Sequence, residues 1–120
     1  MRANQTLKRY YDFWNKKYFD NLLPHDVKIG YDAKRYASRK RKKEFGEADA
    51  RKNEIAINPR WRDTKAIVLW ALIHEMAHLE EYRRHGRMSD HDEPFEEIMN
   101  ELGAKGAFSK HNGLRRYSIW

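Results

Sequence analysis

Apolar side chains in the first twenty residues recur at steps of three and four positions. This spacing predicts a helix over residues 4–19 that buries one face, because residues three and four apart lie on the same side of a helix. The stripe consists of Leu7, Tyr10, Tyr11, Trp14 and Tyr18. We expect these side chains in the hydrophobic core rather than around a cofactor.

Short strands are predicted in the segment that follows, where apolar and polar residues alternate. Residues 27–31, 44–50 and 54–58 fit this pattern, and the third is the clearest because a proline follows it. A loop with seven basic side chains, residues 34–43, separates the first two strands, and we refer to it as the basic segment.

The most apolar stretch lies in the second half of the chain. A helix is predicted over residues 65–79, continuing into a charged segment, and its apolar residues cover both flanks. It should therefore be the most buried helix of the molecule. A polar connection that contains glycine, residues 86–90, leads to a further helix over residues 94–102, which has Pro94 in its first turn.

Length and composition limit the class of protein. The chain has 120 residues, of which 40% are apolar and 13% are aromatic. This length and composition predict one folded domain over residues 1–120, in which residues 104–120 form a loosely ordered basic tail. The absence of cysteine excludes disulfide scaffolds, thiol nucleophiles and cysteine-based zinc sites. Because no leader segment or long apolar run occurs, we expect a cytoplasmic protein without membrane contact, monomeric by default.

Positive charge is concentrated in the first half of the chain. Residues 1–60 carry 16 basic and 8 acidic side chains, whereas residues 61–120 carry 9 and 10. The basic segment could contact nucleic-acid phosphates, or it could be a solvated loop that keeps the protein soluble. Because no base-reading motif accompanies it, sequence-specific readout is not expected. Its cations are Lys34, Arg35, Arg39, Lys40, Arg41, Lys42 and Lys43.

A metal-binding pattern lies within the buried helix, where residues 74–78 read His-Glu-Met-Ala-His. Residues four apart project side by side from a helix, so His74 and His78 can share one metal ion. Glu75 then lies beside the metal, where it can take a proton from the attacking water and pass it to a leaving amine.

A catalytic zinc site needs a third protein ligand and an open position. The helix carries residues beyond His78 away from the metal, so the third ligand should return by way of a loop. His91, just before the next helix, fits this requirement, and the alternatives are His85 or a carboxylate of that helix: Glu96, Glu97 or Glu101.

Further groups around such a site remain open in the sequence. The developing oxyanion needs a donor, for which the candidates are Tyr36, Tyr82 and His85. Outer carboxylates that hold the imidazoles could come from Asp63, Asp90 or Asp92.

The chain resembles the SprT-like zinc metallopeptidases over about residues 10–100. The resemblance is carried by Leu-Ile-His-Glu-Met-Ala-His at residues 72–78 and by His91 followed four positions later by Phe95. Upstream, residues 13–24 are similar to the opening motif of the family, and residues 54–58 are similar to its strand before the metal helix. Asp92 stands where the family usually has glycine.

The resemblance implies a minimal zincin-type α+β domain, with an N-terminal helix and the metal-binding helix packed on a sheet of about three strands. It also implies one zinc ion per chain held by His74, His78 and His91, with Glu75 as general base in the hydrolysis of a protein or peptide substrate. Because eukaryotic members of the family degrade proteins crosslinked to DNA, it favours a DNA contact through the basic segment.

Two other functions fit parts of the sequence. The chain could be a nucleic-acid-binding module whose zinc is structural or whose site is silent, although a Glu at the one position suited to a general base argues against this. Alternatively, the basic segment could select an acidic protein substrate instead of DNA.

Overall fold

Three helices and a three-stranded sheet make up the fold over residues 1–109, the part of the chain that the computed structural model describes. The elements in chain order are α1 (Gln5–Tyr18), β1 (Lys28–Tyr31), β2 (Gly46–Asp49), β3 (Glu54–Ile57), a 3₁₀ turn (Pro59–Trp61), α2 (Lys65–His85) and α3 (Glu93–Ala104). The predicted α+β class is confirmed, with α1 and α2 packed on a small sheet.

The sheet has the order β1-β3-β2, so β3 lies at its centre. β3 is parallel to β1 and antiparallel to β2, and the short turn between β2 and β3 explains the antiparallel pair. Ile55, Ala56 and Ile57 of β3 are fully buried. β2 therefore forms one edge of the sheet, and this edge faces α2.

Helix α1 follows the predicted stripe. The side chain of Asn4 accepts a hydrogen bond from the backbone N–H of Leu7 and caps the helix, a contact that contributes about 1 kcal/mol. Four of the five predicted residues are buried, and Tyr10 is half-buried. The buried amide of Asn15 binds both the N–H and the carbonyl of Leu23, which fixes the chain after the helix against its last turns.

Helix α2 continues through the charged residues to His85, as the sequence indicated, and it ends at Gly86, which has the left-handed conformation. Its residues from Val68 to Glu81 are all buried, since α1, α3 and the sheet surround it. α3 packs against α2 through Phe95, Ile98, Met99 and Leu102.

The predicted loose tail falls partly outside the described residues, which end at residue 109. Within them, the turn after α3 packs on the core: Ala107 is fully buried, and the ring of Phe108 lies 5.5 Å from that of Trp70. None of the helices over residues 1–109 is long and apolar enough to cross a membrane.

Candidate metal centre

Two imidazoles project side by side from the middle of α2. His74 and His78 are one helical turn apart, and their ring centroids are 5.2 Å apart. Each is only 8% exposed. The helix must bury its apolar flanks, so these polar side chains are buried with it, and buried polar groups are costly unless they have a partner.

The third imidazole comes from the loop between α2 and α3. His91 stands one residue before the N-cap of α3, with a backbone φ of +62°, a left-handed value that costs non-glycine residues free energy and often occurs at functional sites. Its Nε2 atom lies 3.1 Å from Nε2 of His74 and 3.1 Å from Nε2 of His78. The three side chains therefore present the same nitrogen to one point.

The donor set fits a zinc ion. A tetrahedral zinc with Zn–N bonds of about 2.0–2.1 Å holds its nitrogens about 3.3 Å apart. This is close to the 3.1 Å that separates Nε2 of His91 from Nε2 of each of the other two histidines. Hydrogen bonds among the imidazoles satisfy the geometry less well, because Nε2 of His91 has one proton or one lone pair and faces two neighbours. A metal ion would serve all three nitrogens at once.

The other proposed ligands lie elsewhere. Over residues 1–109, the single cluster of three or more His, Asp or Glu residues that could hold a metal consists of His74, His78 and His91. His85 is exposed at the end of α2. Among the carboxylates of α3, Glu101 forms a two-bond ion pair with Arg84.

Phe95 forms the apolar floor of the cluster. It is fully buried on α3, its ring stacks on His78 with centroids 4.2 Å apart, and it lies 5.0 Å from the ring of His74 and 4.9 Å from that of His91. The spacing of four residues between His91 and Phe95 thus has a physical reason. It allows both side chains to contact the imidazoles of His74 and His78.

Burial keeps the imidazoles neutral, the form that binds a metal. Burial, reinforced by the neighbouring imidazoles, lowers the pKa of His74 to about 3. Burial likewise lowers the pKa of His78 to about 4, although the contact with Glu81 opposes this shift.

Glu75 is a buried carboxyl group beside the histidines. Its Oε2 atom lies 3.9 Å from Nε2 of His74. Burial raises its pKa to about 8, and a hydrogen bond from the backbone of Ala48 in β2 partly opposes the shift. A carboxyl group that exchanges its proton near neutral pH suits a general acid and base.

An open cleft of about 600 Å³ leads to this group of side chains. One wall is the chain from Lys43 to Ala48, which includes the first three residues of β2, and the other contains Met88, Asp90 and His91. His74, Glu75 and His78 line the same cleft. The arrangement brings three histidines that could hold a metal ion, the carboxyl group of Glu75 and space for a ligand to one place.

The proposed oxyanion donors and outer carboxylates do not gather around the three histidines. Of the proposed oxyanion donors, Tyr36 is buried and donates its hydroxyl proton to the carbonyl of Ala56, and neither Tyr82 nor His85 lines the cleft. Of the proposed outer carboxylates, Asp90 lines the cleft, whereas Asp92 pairs with Arg87. Asp63 is exposed just before α2.

Sequence reasoning missed Glu81. Its carboxylate is completely buried, and Oε1 lies 3.4 Å from Nδ1 of His78. The available signal was its position three residues after His78, which places both side chains on one face of the helix.

The basic segment divides into two groups. Arg35 pairs with Asp32 and Glu54, and Arg41 pairs with Glu44 and Glu47. The other five cations are exposed, and none of the ion pairs found over residues 1–109 includes them: Lys34, Arg39, Lys40, Lys42 and Lys43.

Comparison with known proteins gives one match. Residues 7–115 match the model of the SprT-like family, which covers nearly the whole chain. Searches of curated proteins and of solved structures returned no match.

Proposed function

Because the chain belongs to the SprT-like family and has a zincin-type, metallopeptidase-like domain, we propose that it is a zinc-dependent peptidase. The observation that carries the proposal is the convergence of three imidazole nitrogens beside the buried carboxylate of Glu75 in an open cleft. His74, His78 and His91 would hold the ion and leave a fourth position open to the cleft.

Zinc, when bound, would polarise the peptide carbonyl and lower the pKa of a water molecule. Glu75 takes a proton from the attacking water and later donates it to the leaving amine. Its backbone contact with Ala48 holds the carboxyl group at the cleft wall, beside His74. Phe95 closes the base of the site against bulk water.

A peptide substrate would find a strand edge along the cleft. Over residues 1–109, β2 is paired with β3 on one side only, and sheet edges bind extended peptides through backbone hydrogen bonds. Phe45 and Met88 add apolar surface to opposite walls. We therefore propose an endopeptidase that binds an extended segment of a protein chain.

We further propose that the exposed cations of the basic segment bind nucleic acid near the site. Lys43, the last of them, lines the cleft itself, so a phosphate backbone on this segment would lie next to the substrate. Substrates bound to DNA would then be presented to the cleft. Alternatively, the same cations could bind an acidic protein substrate instead of DNA. Measuring whether added DNA competes with cleavage of a neutral peptide distinguishes the DNA contact from the acidic substrate.

The alternative of a binding module with structural zinc predicts a fourth protein ligand. Structural zinc sites are closed by four protein ligands, whereas the cluster over residues 1–109 has three. This difference favours the peptidase.

The test compares the wild-type chain with Glu75→Gln. Zinc content is measured by mass spectrometry, and cleavage of an unfolded protein is measured with and without single-stranded DNA. We expect one zinc ion per chain in both proteins, and a loss of cleavage of about 100- to 10,000-fold in Glu75→Gln. Chelation should abolish the activity of the wild type, and added zinc should restore it.

The possible contrary results have separate meanings. Zinc without cleavage in either condition would contradict the peptidase and favour the binding module. Equal cleavage by the wild type and Glu75→Gln would contradict the role of Glu75. A chain that binds no zinc would overturn the proposal.

A further inference from the structure

One buried carboxylate links the helix that carries two histidines to the loop that carries the third. Glu81 lies one turn after His78 on α2, and its side chain is completely buried. Its Oε1 atom accepts a hydrogen bond from the backbone N–H of Ser89 at 2.9 Å and lies 3.4 Å from Nδ1 of His78. Ser89 is two residues before His91.

Within residues 1–109, the carboxylate of Glu81 forms no ion pair with a Lys or Arg side chain. Among the ion pairs found over residues 1–109, Glu81 appears only with His78. Its second oxygen is buried without a hydrogen-bond partner in the same part of the chain. The neighbouring buried Glu80, in contrast, pairs with both Arg83 and Arg84. A buried carboxylate is costly unless positive charge lies nearby, and a His78 bound to a metal ion would supply it.

We propose that Glu81 is a positioning residue of the metal centre, acting on His78 and on the loop of His91 at once. The carboxylate accepts the Nδ1–H of His78, which fixes the tautomer that leaves Nε2 free for the ion. The same oxygen holds the Ser89 backbone and so holds His91 over the other two imidazoles. The inference rests on the proposed function, since it assumes that the three histidines bind zinc.

The other two histidines show why this contact matters. Nδ1 of His74 is buried without a hydrogen-bond partner over residues 1–109, and His91 lies on a loop in a strained backbone conformation. Glu81 is therefore the contact that joins ligands from two elements. Its loss should weaken metal binding more than it changes the fold of α2.

The test measures the zinc dissociation constant of the full chain by competition with a chromophoric chelator. Glu81→Gln keeps the size of the side chain but removes its charge, and Glu80→Gln is the matched control on the same helix. We expect Glu81→Gln to bind zinc about 10- to 100-fold more weakly than the wild type. Glu80→Gln should bind zinc as the wild type does.

A second readout follows the loop. Amide hydrogen exchange at Ser89, measured by NMR on the metal-free proteins, should be faster in Glu81→Ala than in the wild type and unchanged in Glu80→Gln. If Glu81→Gln does not fold, Glu81→Asp replaces it, because its carboxylate is one methylene too short for both contacts. Glu81→Asp should also bind zinc more weakly than the wild type.

The outcomes separate this inference from the proposed function. A folded Glu81→Gln or Glu81→Asp with the zinc affinity of the wild type would overturn the role of Glu81 and leave the metal centre standing. A wild-type chain that binds no zinc would overturn both proposals.

Discussion

The metal centre and the basic segment are both conspicuous in the sequence, but the fold treats them differently. The ligand nitrogens of His74, His78 and His91 lie within 4.8 Å of one another, although His91 comes from a separate loop. The seven cations of the basic segment are consecutive or nearly so, yet two are tied to acidic partners and five face solvent. In the basic segment, cations that are neighbours in the sequence therefore do not share one role.

The difference has a physical cause. On a helix, backbone hydrogen bonds fix the direction of each side chain, and burial requires each polar group to have a partner. In a loop, repulsion between like charges is relieved by whichever acids lie nearby and by water, so adjacent cations take separate roles. Variants of the two regions can sharpen or break this contrast.

The largest effect is expected at the third histidine. His91→Ala removes the one proposed zinc ligand that lies on the loop. It should weaken zinc binding by more than about 100-fold, the upper end of the cost of losing an outer partner. His85→Ala removes an exposed imidazole at the end of α2 and should leave zinc binding unchanged. Metal analysis after dialysis measures both, and zinc loss in His85→Ala alone would reverse the assignment.

A smaller effect is expected for nucleic-acid binding. The variant replaces Lys40, Lys42 and Lys43 by Gln. It should make the negative slope of log affinity against log salt for single-stranded DNA shallower by about 2, since each phosphate contact contributes about 0.7. Fluorescence anisotropy across a salt series gives the slope.

The control for this charge variant changes three exposed cations at the other end of the sheet, Lys28, Arg51 and Lys52. It has the same net charge as the first variant and should keep the slope of the wild type. Equal losses in both would mean that the basic segment contributes only net charge.

The sequence predicted the parts of the site that depend on regular spacing. The four-residue step from His74 to His78 fixes their common direction, and the expected loop return leads to His91. The stripe on α1 and the apolar flanks of α2 predicted the core for the same reason, because burial follows helical periodicity.

The parts that the sequence did not reveal depend on contacts between distant segments. Arg35 finds Glu54, which is 19 positions away, only because β1 and β3 lie side by side. Tyr36 is surrounded by cations in the sequence but is buried against the carbonyl of Ala56. The contact of Glu81 with Ser89 needs the turn after Gly86, which no local pattern encodes.

A still smaller effect is expected where the two regions meet. Gly46 follows the basic segment and begins β2, and an added Cβ would lie 2.8 Å from the carbonyl oxygen of Ala56 and 3.6 Å from Cγ of Glu75. Gly46→Ala should reduce the free energy of unfolding by about 1–3 kcal/mol and also reduce cleavage per folded molecule. Urea unfolding and activity assays measure the two effects.

The control is Gly30→Ala on β1, where an added Cβ would overlap the carbonyl oxygen of Arg2. This variant should lose stability without losing activity per folded molecule, because the overlap involves the N-terminal segment and not the cleft. Equal activity losses in both variants would show that sheet stability, rather than the contact with Glu75, controls the site.

The smallest effect separates two neighbouring cations of the basic segment. Arg41 pairs with Glu44 and Glu47 across the start of β2, whereas Lys40 is exposed beside it. Arg41→Ala should reduce the free energy of unfolding by up to about 1 kcal/mol, the usual limit for a solvent-accessible pair, and Lys40→Ala should change it less. Lys40→Ala should instead weaken DNA binding more than Arg41→Ala does, because only the lysine is free to meet a phosphate. Urea unfolding measures the loss of stability, and anisotropy measures the loss of DNA affinity. If the same variant shows the larger loss in both measurements, the division of the segment into structural and free cations is wrong.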